Sequence, residues 1–248
     1  MSTPAVAPPA GEGLSEGARV VNTFIAPSKT FTDINRSARW WLPFVIMAIF
    51  SYAFVFTVDK KVGFDKVNEN AIRLNERASE RLDQLSPEQR EQQVEIGVKI
   101  TRYIAFSVPA ISLVFLLLSS LILWGSYSFG AGAQVSFGKS MAVVTYSNLV
   151  GIFKPVLAII ALMAGADSDT FNMQNPAATN LAVLVDQTQH KVLYSLCSQL
   201  DIITIWTLCL VALGFTYICK VKKGTSFAIV FGWWIVTVLV AVGASAAF

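Results

Sequence analysis

Apolar residues in this chain gather into long unbroken runs instead of alternating with polar ones. A helix needs roughly 20 apolar residues to cross about 30 Å of hydrocarbon. Five runs approach or exceed that length: 40–58, 104–129, 141–164, 202–219 and 227–247. Helix, and not strand, follows from the run length and from the need to pair every backbone N–H and C=O inside lipid. The pattern predicts an all-α integral membrane bundle of five transmembrane helices. Trp40, Trp41, Trp124, Tyr127, Tyr217, Trp233 and Trp234 lie in or near the runs, several at run ends, as aromatic anchors of the headgroup region do. Pro43 and Pro109 are expected near helix starts, where a missing donor costs little. Lys154-Pro155 interrupts the third run.

Shorter patterns fill the space between the runs. Residues 1–18 are rich in Pro, Ala, Gly and Ser and are expected to form a disordered tail. They carry no apolar core of a cleavable signal peptide, so the first span is expected to act as an uncleaved signal anchor. Residues 19–36 carry Val20, Val21, Phe24, Ile25, Phe31 and Ile34 at helical spacing around Pro27, which predicts an interfacial helix lying on the membrane before the chain enters it.

The loop 60–103 is dense in charge. Val67, Ala71, Leu74, Ala78 and Leu85 recur at three- and four-residue steps, the spacing of one helical face. Ser86-Pro87-Glu88-Gln89 reads as a helix start, with a capping serine, proline at the first position and glutamine where a capping box requires it. Val94 and Val98 continue the stripe on the second arm, which is expected to run into the second span. The loop is therefore expected to be an extramembrane helical hairpin between spans one and two, its stripe either a packing face or a partner-binding face. The other long loop, Gly165 to Leu200, is polar and weakly acidic, with a short apolar run at Leu181–Val185 that fits an interfacial turn.

Composition narrows the classes of function. The chain has 248 residues, 54% hydrophobic and 14% charged, against about a quarter charged in soluble domains. A net charge of +3 without a basic block argues against a nucleic-acid partner. Cys197, Cys209 and Cys219 form no CxxC pair and have no histidine cluster beside them, so they read as packing residues, not as a disulfide framework or metal site. His190 is the single histidine and is expected at the surface. No nucleophile elbow, phosphate loop, zinc motif or dinucleotide fingerprint occurs, so no catalytic residue, metal or cofactor is expected. Arg19, Lys29, Arg36 and Arg39 precede the first run, Lys139 lies between the second and third, and Lys220, Lys222 and Lys223 join the last two. The positive-inside rule then places the N-terminus in the cytoplasm and the C-terminus outside.

One residue invites chemistry. Lys154 sits in the middle of the third run, where an ammonium costs about 3 kcal/mol or more. Such a charge is expected to face the bundle interior and pair. Asp201, at the start of the fourth run, and Asp59, at the end of the first, are the candidate partners, and Asn148 is placed to share the network. Two readings remain open: an ion-paired lysine that fixes helix packing, or a cation site or relay.

The stretches FIAPSKTFTDI followed by WWLP, SFGKSMAVVTYSNLV leading into the third run, and DIITIWTLCLVALGF followed by a basic turn resemble the bacterial branch of the Yip family, the Ypt/Rab-interacting multi-pass membrane proteins. The resemblance covers roughly Arg19 to Phe248. It implies a Yip-like transmembrane domain and a membrane-traffic or partner-binding role; eukaryotic relatives bind small GTPases through a cytoplasmic part. The short, low-complexity tail of this chain argues against GTPase binding. The expected function is that of a non-enzymatic scaffold or accessory subunit in a bacterial inner-membrane complex, its partners the bilayer and other membrane proteins or a second copy. The alternative is a small transporter or channel that uses Lys154.

Overall fold

A computed structural model describes the chain from residue 13 to residue 247, and most of the expected 1–18 tail lies outside the described residues. Among those residues the protein is built from helices alone, with one isolated bridge between Asn180 and Asp201. Eleven α-helices follow in order: α1 (Glu16–Ile25), α2 (Pro27–Ile34), α3 (Trp41–Lys61), α4 (Phe64–Arg73), α5 (Glu76–Asp83), α6 (Pro87–Gly125), α7 (Phe137–Asn148), α8 (Phe153–Met163), α9 (Lys191–Gln199), α10 (Ile202–Cys219) and α11 (Lys223–Ala247). Five helical stretches are long and apolar enough to cross a membrane: Trp41–Lys61, Pro87–Gly130, Phe137–Met163, Ile202–Cys219 and Lys223–Ala246.

Local chemistry explains where these helices start and break. Ser86 accepts from Gln89 N while the Gln89 side chain accepts from Ser86 N, closing the capping box that opens α6. That cap starts the helix so early that Pro109 falls in its interior, not near a start as the apolar run alone implied. The third long stretch changes winding: Leu149–Ile152 is a 3-10 turn between α7 and α8. Pro155 has no N–H to offer the carbonyl four residues back, at Gly151, so the tighter winding falls where the α-helical ladder is interrupted. A single π-helical turn, Ser126–Gly130, ends the second crossing. Lys220 closes α10 in the left-handed conformation, φ 54°.

The core lies between α2, α6, α7, α10 and the start of α11. The segment expected to lie on the membrane as one helix is two helices folded on each other, and it reaches into this core. Pro27 opens the second of them. Arg19 and Thr23 face inward, where the Thr23 and Thr30 hydroxyls both donate to the Arg19 carbonyl. The apolar side of α2 then turns to the bundle, and Phe31 and Ile34 are completely buried. Phe31 fits there because Gly214 of α10 has no side chain. A Cβ at that position would come within 2.5 Å of Val143 Cγ1 and 3.0 Å of the Phe31 ring. Gly214→Ala is therefore expected to destabilise the protein by about 1–3 kcal/mol, the cost of overpacking a filled core. Thermal unfolding in detergent measures it, and an unchanged midpoint would refute the contact.

Candidate functional site

Asp201 stands at the first turn of α10 with extended backbone, the conformation of a helix-capping residue. One carboxylate oxygen, Oδ1, accepts from Thr204 N at 2.7 Å, and the other, Oδ2, accepts from the Thr179 hydroxyl at 2.5 Å. The chain pairing is reinforced where Ile202 N donates to the Thr179 carbonyl at 3.1 Å. Into this buried acceptor reaches Lys154 from α8: Nζ lies 3.1 Å from Asp201 Oδ1 and donates to Thr204 Oγ1 at 3.2 Å. Asp201 is 1% exposed, whereas the Lys154 side chain is 39% exposed. The carboxylate is thus fully supplied with donors, and the ammonium keeps an open side.

That open side looks onto two grooves. One, of about 360 Å³, lies between α6, α10 and α11 and is lined by Thr204, Thr207, Trp233 and Trp234. The other, of about 410 Å³, lies between α3, α6 and α8 and is lined by Phe44, Ser51 and Phe115. Lys154, Asn148, Gly151 and Ser119 belong to both. The remaining candidates are placed apart. The Asn148 amide donates to the Val144 carbonyl of its own helix at 2.8 Å and faces the grooves without bonding to the pair. Asp59 pairs with Arg102 at 2.9 Å, because α6 passes closer to the end of α3 than α10 does. Thr179 and Thr204 complete the cluster. Thr204 was legible as the third residue after a capping aspartate; nothing in the local sequence marks Thr179.

The charged segment between α3 and α6 makes its own contacts. Val67 is 2% exposed and packs with Val58, Leu162 and Phe171. The Asn70 amide donates to the carbonyls of Ser168 and Phe171 at 2.8 and 3.0 Å, and Arg73 donates to the Asp169 carbonyl. Lys66 meets Asp169 at 2.8 Å, and that hydrogen bond holds the Asp169 carboxyl below the usual carboxylate range. So α4 is docked on the loop after α8, and part of the apolar stripe is consumed within the chain. Val98 likewise packs against Val55, Phe64 and Ala105. Ala71, Leu74 and Ala78 are left to line a cleft of about 600 Å³, opposite Lys191 and Tyr194 of α9. Leu85 is exposed at the turn before α6, and Val94 is half-buried. Among the described residues no group of three or more His, Cys, Asp or Glu is placed to hold a metal.

The arrangement defines a multi-pass helical membrane protein with a neutralised charge pair inside the bundle. The family model described as Yip1 domain matches residues 21–244, and the chain belongs to that family. No curated protein matches the chain, and no solved structure does.

Proposed function

We propose that the protein is a non-enzymatic scaffold or accessory subunit of a membrane complex, of the bacterial branch of the Yip family, seated in the bacterial inner membrane. The observation that carries this reading is the α4–α5 arm. It is fixed to the rest of the chain by Asn70 and Lys66, yet it leaves Ala71, Leu74 and Ala78 along an open cleft. A braced arm with an unfilled apolar edge can hold a partner without paying again to order itself. Lys154 supports the same reading, since its charge is already met by Asp201.

The orientation we infer has the N-terminus in the cytoplasm and the C-terminus outside. Its support is the clustering of basic ends: Lys139 donates to the Asn35 side chain at 3.1 Å, and the Asn35 amide donates to the Tyr217 carbonyl at 3.4 Å. The end of α2, the start of α7 and the end of α10 therefore share one side with Lys220, Lys222 and Lys223. The α4–α5 arm is then on the outer side.

The test is affinity purification in mild detergent, comparing the intact chain, a chain lacking residues 66–93, and a folded variant with Leu74→Glu and Ala78→Glu. A stoichiometric partner that is lost in both altered chains is the expected result. A chain that purifies alone refutes the scaffold. A second reading, a small transporter or channel, is favoured by one observation: the open side of Lys154 on two grooves. A flux in proteoliposomes that vanishes in Lys154→Ala, with the fold intact, would favour it over the scaffold.

A further inference from the structure

The sequence places Gly165 to Leu200 outside the membrane as a polar loop, but the contacts of this segment put half of it at a depth where only lipid or protein surrounds it. The inference rests on the membrane-spanning reading of the five long helices. The charged boundary at the α4 end is marked by the Asp59–Arg102 pair. Val58, the neighbour of Asp59, packs with Leu162 of α8, so Leu162 lies at that boundary. Lys154 is two turns further in on the same helix, about 12 Å at 1.5 Å per residue. Asp201 is bonded to the Lys154 ammonium and therefore lies within one lysine side chain of that depth, and so do Thr179 and Asn180, which pair with Asp201 and Ile202. Pro176 faces the same groove as Lys154 and Phe54.

The chain must then climb from Asn180 to the boundary and come back. A 3-10 turn, Leu181–Leu184, begins the climb, and its Leu184 is 82% exposed. The return is α9. It starts at Lys191, which meets Glu76 of α5 at 3.6 Å in the charged layer, and it ends two residues before Asp201. Its nine residues span about 13 Å, the depth just derived. The neighbouring helix α11 gives the same ruler: Thr237 shares a groove with Ile203 and Thr204, and Ser245 shares the cleft with Lys191 and Tyr194. Leu193 and Leu196 are exposed along an open concavity that Glu76 and His190 border at its charged end, while Lys191, Tyr194 and Ser198 point into the cleft. Irregular backbone at such depth must be satisfied by protein. Here Thr179 N donates to the Ala177 carbonyl, Ile202 N to the Thr179 carbonyl and Ala182 N to the Asn180 side chain, while the Asn175 and Asn180 side chains bond each other at 3.3 and 2.7 Å.

We propose that the chain between Pro176 and Leu200 re-enters the membrane, so that the fourth crossing is a helix broken at Leu200–Asp201 into α9 and α10, with Leu184, Leu193 and Leu196 resting on lipid acyl chains. The break places the Asp201 carboxylate and the α10 N-terminus inside the bilayer beside Lys154, the arrangement by which discontinuous helices hold polar groups at depth. Leu184 and Leu196 are exposed and belong to no core cluster, so a label there leaves the core untouched.

The experiment uses the full chain with Cys197, Cys209 and Cys219 replaced by serine, reconstituted alone into phosphatidylcholine nanodiscs. Single nitroxide labels are attached in Leu184→Cys, Leu196→Cys, Gln89→Cys and Leu239→Cys, and collisions with oxygen and with a water-soluble nickel chelate are measured. Gln89 is the aqueous standard; Leu239, 65% exposed on α11, is the lipid standard. The expected result is oxygen-dominated collision at Leu184 and Leu196, matching Leu239. Nickel-dominated collision there, with Leu239 still in lipid, overturns re-entry. Weak collision with both reagents means a second copy covers the face and overturns lipid contact. A water-exposed Leu239 overturns the membrane-spanning reading, and re-entry falls with it.

Discussion

Asp201→Ala is expected to lower the unfolding midpoint in detergent by about 6–12 °C. The change removes three things at once. The carboxylate caps α10 through Thr204 N, receives the Thr179 hydroxyl, and neutralises Lys154. Breaking one partner out of a buried pair costs about 3–5 kcal/mol, because the other charge is left uncompensated. The 39% exposure of the Lys154 side chain keeps the effect near the lower end, about 3 kcal/mol. In a chain of this size each kcal/mol moves the midpoint by about 2–4 °C. Asp201→Asn separates the contributions, since an amide oxygen can still cap the helix but carries no charge. Adding Lys154→Met to Asp201→Asn removes the orphaned ammonium and is expected to recover most of the loss. If the double variant is no more stable than Asp201→Asn alone, the ion pair is not what holds this site together.

The same residues show how much of the molecule the sequence carried. Run length and hydropathy located the five long apolar helices, because lipid leaves the backbone few alternatives. Cap chemistry at Ser86-Pro87-Glu88-Gln89 located the start of α6, because those signals act within four residues. The expense of a lysine at Lys154 pointed to a carboxylate, and the structure brings Asp201 to it while Arg102 takes Asp59. What the sequence did not carry is contact between distant polar segments. Thr179 lies 22 residues before Asp201, in a loop whose composition reads as water-exposed. Its asparagines and Thr179 look hydrophilic, yet they bond inside the chain: Asn175 with Asn180 and Tyr194, Asn172 with Gln187 and Tyr194, and Thr179 with Asp201. The pre-membrane segment shows the same limit. Its apolar residues announce a face, but periodicity does not say which of them another helix covers: Phe31 and Ile34 are buried against the bundle where Gly214 leaves room, while Val21 and Ile25 stay exposed.

The buried Arg19–Asp33 pair is expected to give the protein an acid-sensitive step that Asp33→Asn removes. Arg19 is completely buried; its Nε donates to Asp33 Oδ2 at 2.6 Å and its Nη1 to the Ser37 carbonyl at 2.9 Å. Asp33 also receives Arg36 Nε at 2.9 Å and Leu14 N at 3.3 Å. Burial alone would push the Asp33 carboxyl up, but the hydrogen bonds from Arg36 and Arg19 outweigh it and hold the group below its ordinary value. A carboxylate whose folded pKa is depressed adds stability that is fully present above the unfolded value, about 3.9. The contribution disappears as pH falls through the lower folded value. The midpoint of the intact protein is therefore expected to fall more steeply below about pH 4 than that of Asp33→Asn. At neutral pH, where that contribution is fully present, Asp33→Asn leaves the Arg19 guanidinium buried with only Glu16 at 3.8 Å to oppose it, a loss of about 3 kcal/mol. Arg19→Met in that background removes the stranded charge and is expected to recover part of the loss. Thermal unfolding of the intact chain, Asp33→Asn and the double variant, followed between neutral pH and the acid limit, tests both claims. Parallel pH profiles for the intact chain and Asp33→Asn would show that Asp33 does not titrate with folding. The cost at neutral pH would then belong to the lost contacts with Leu14 and Arg36, and the buried arginine would be held by the Ser37 carbonyl and Glu16.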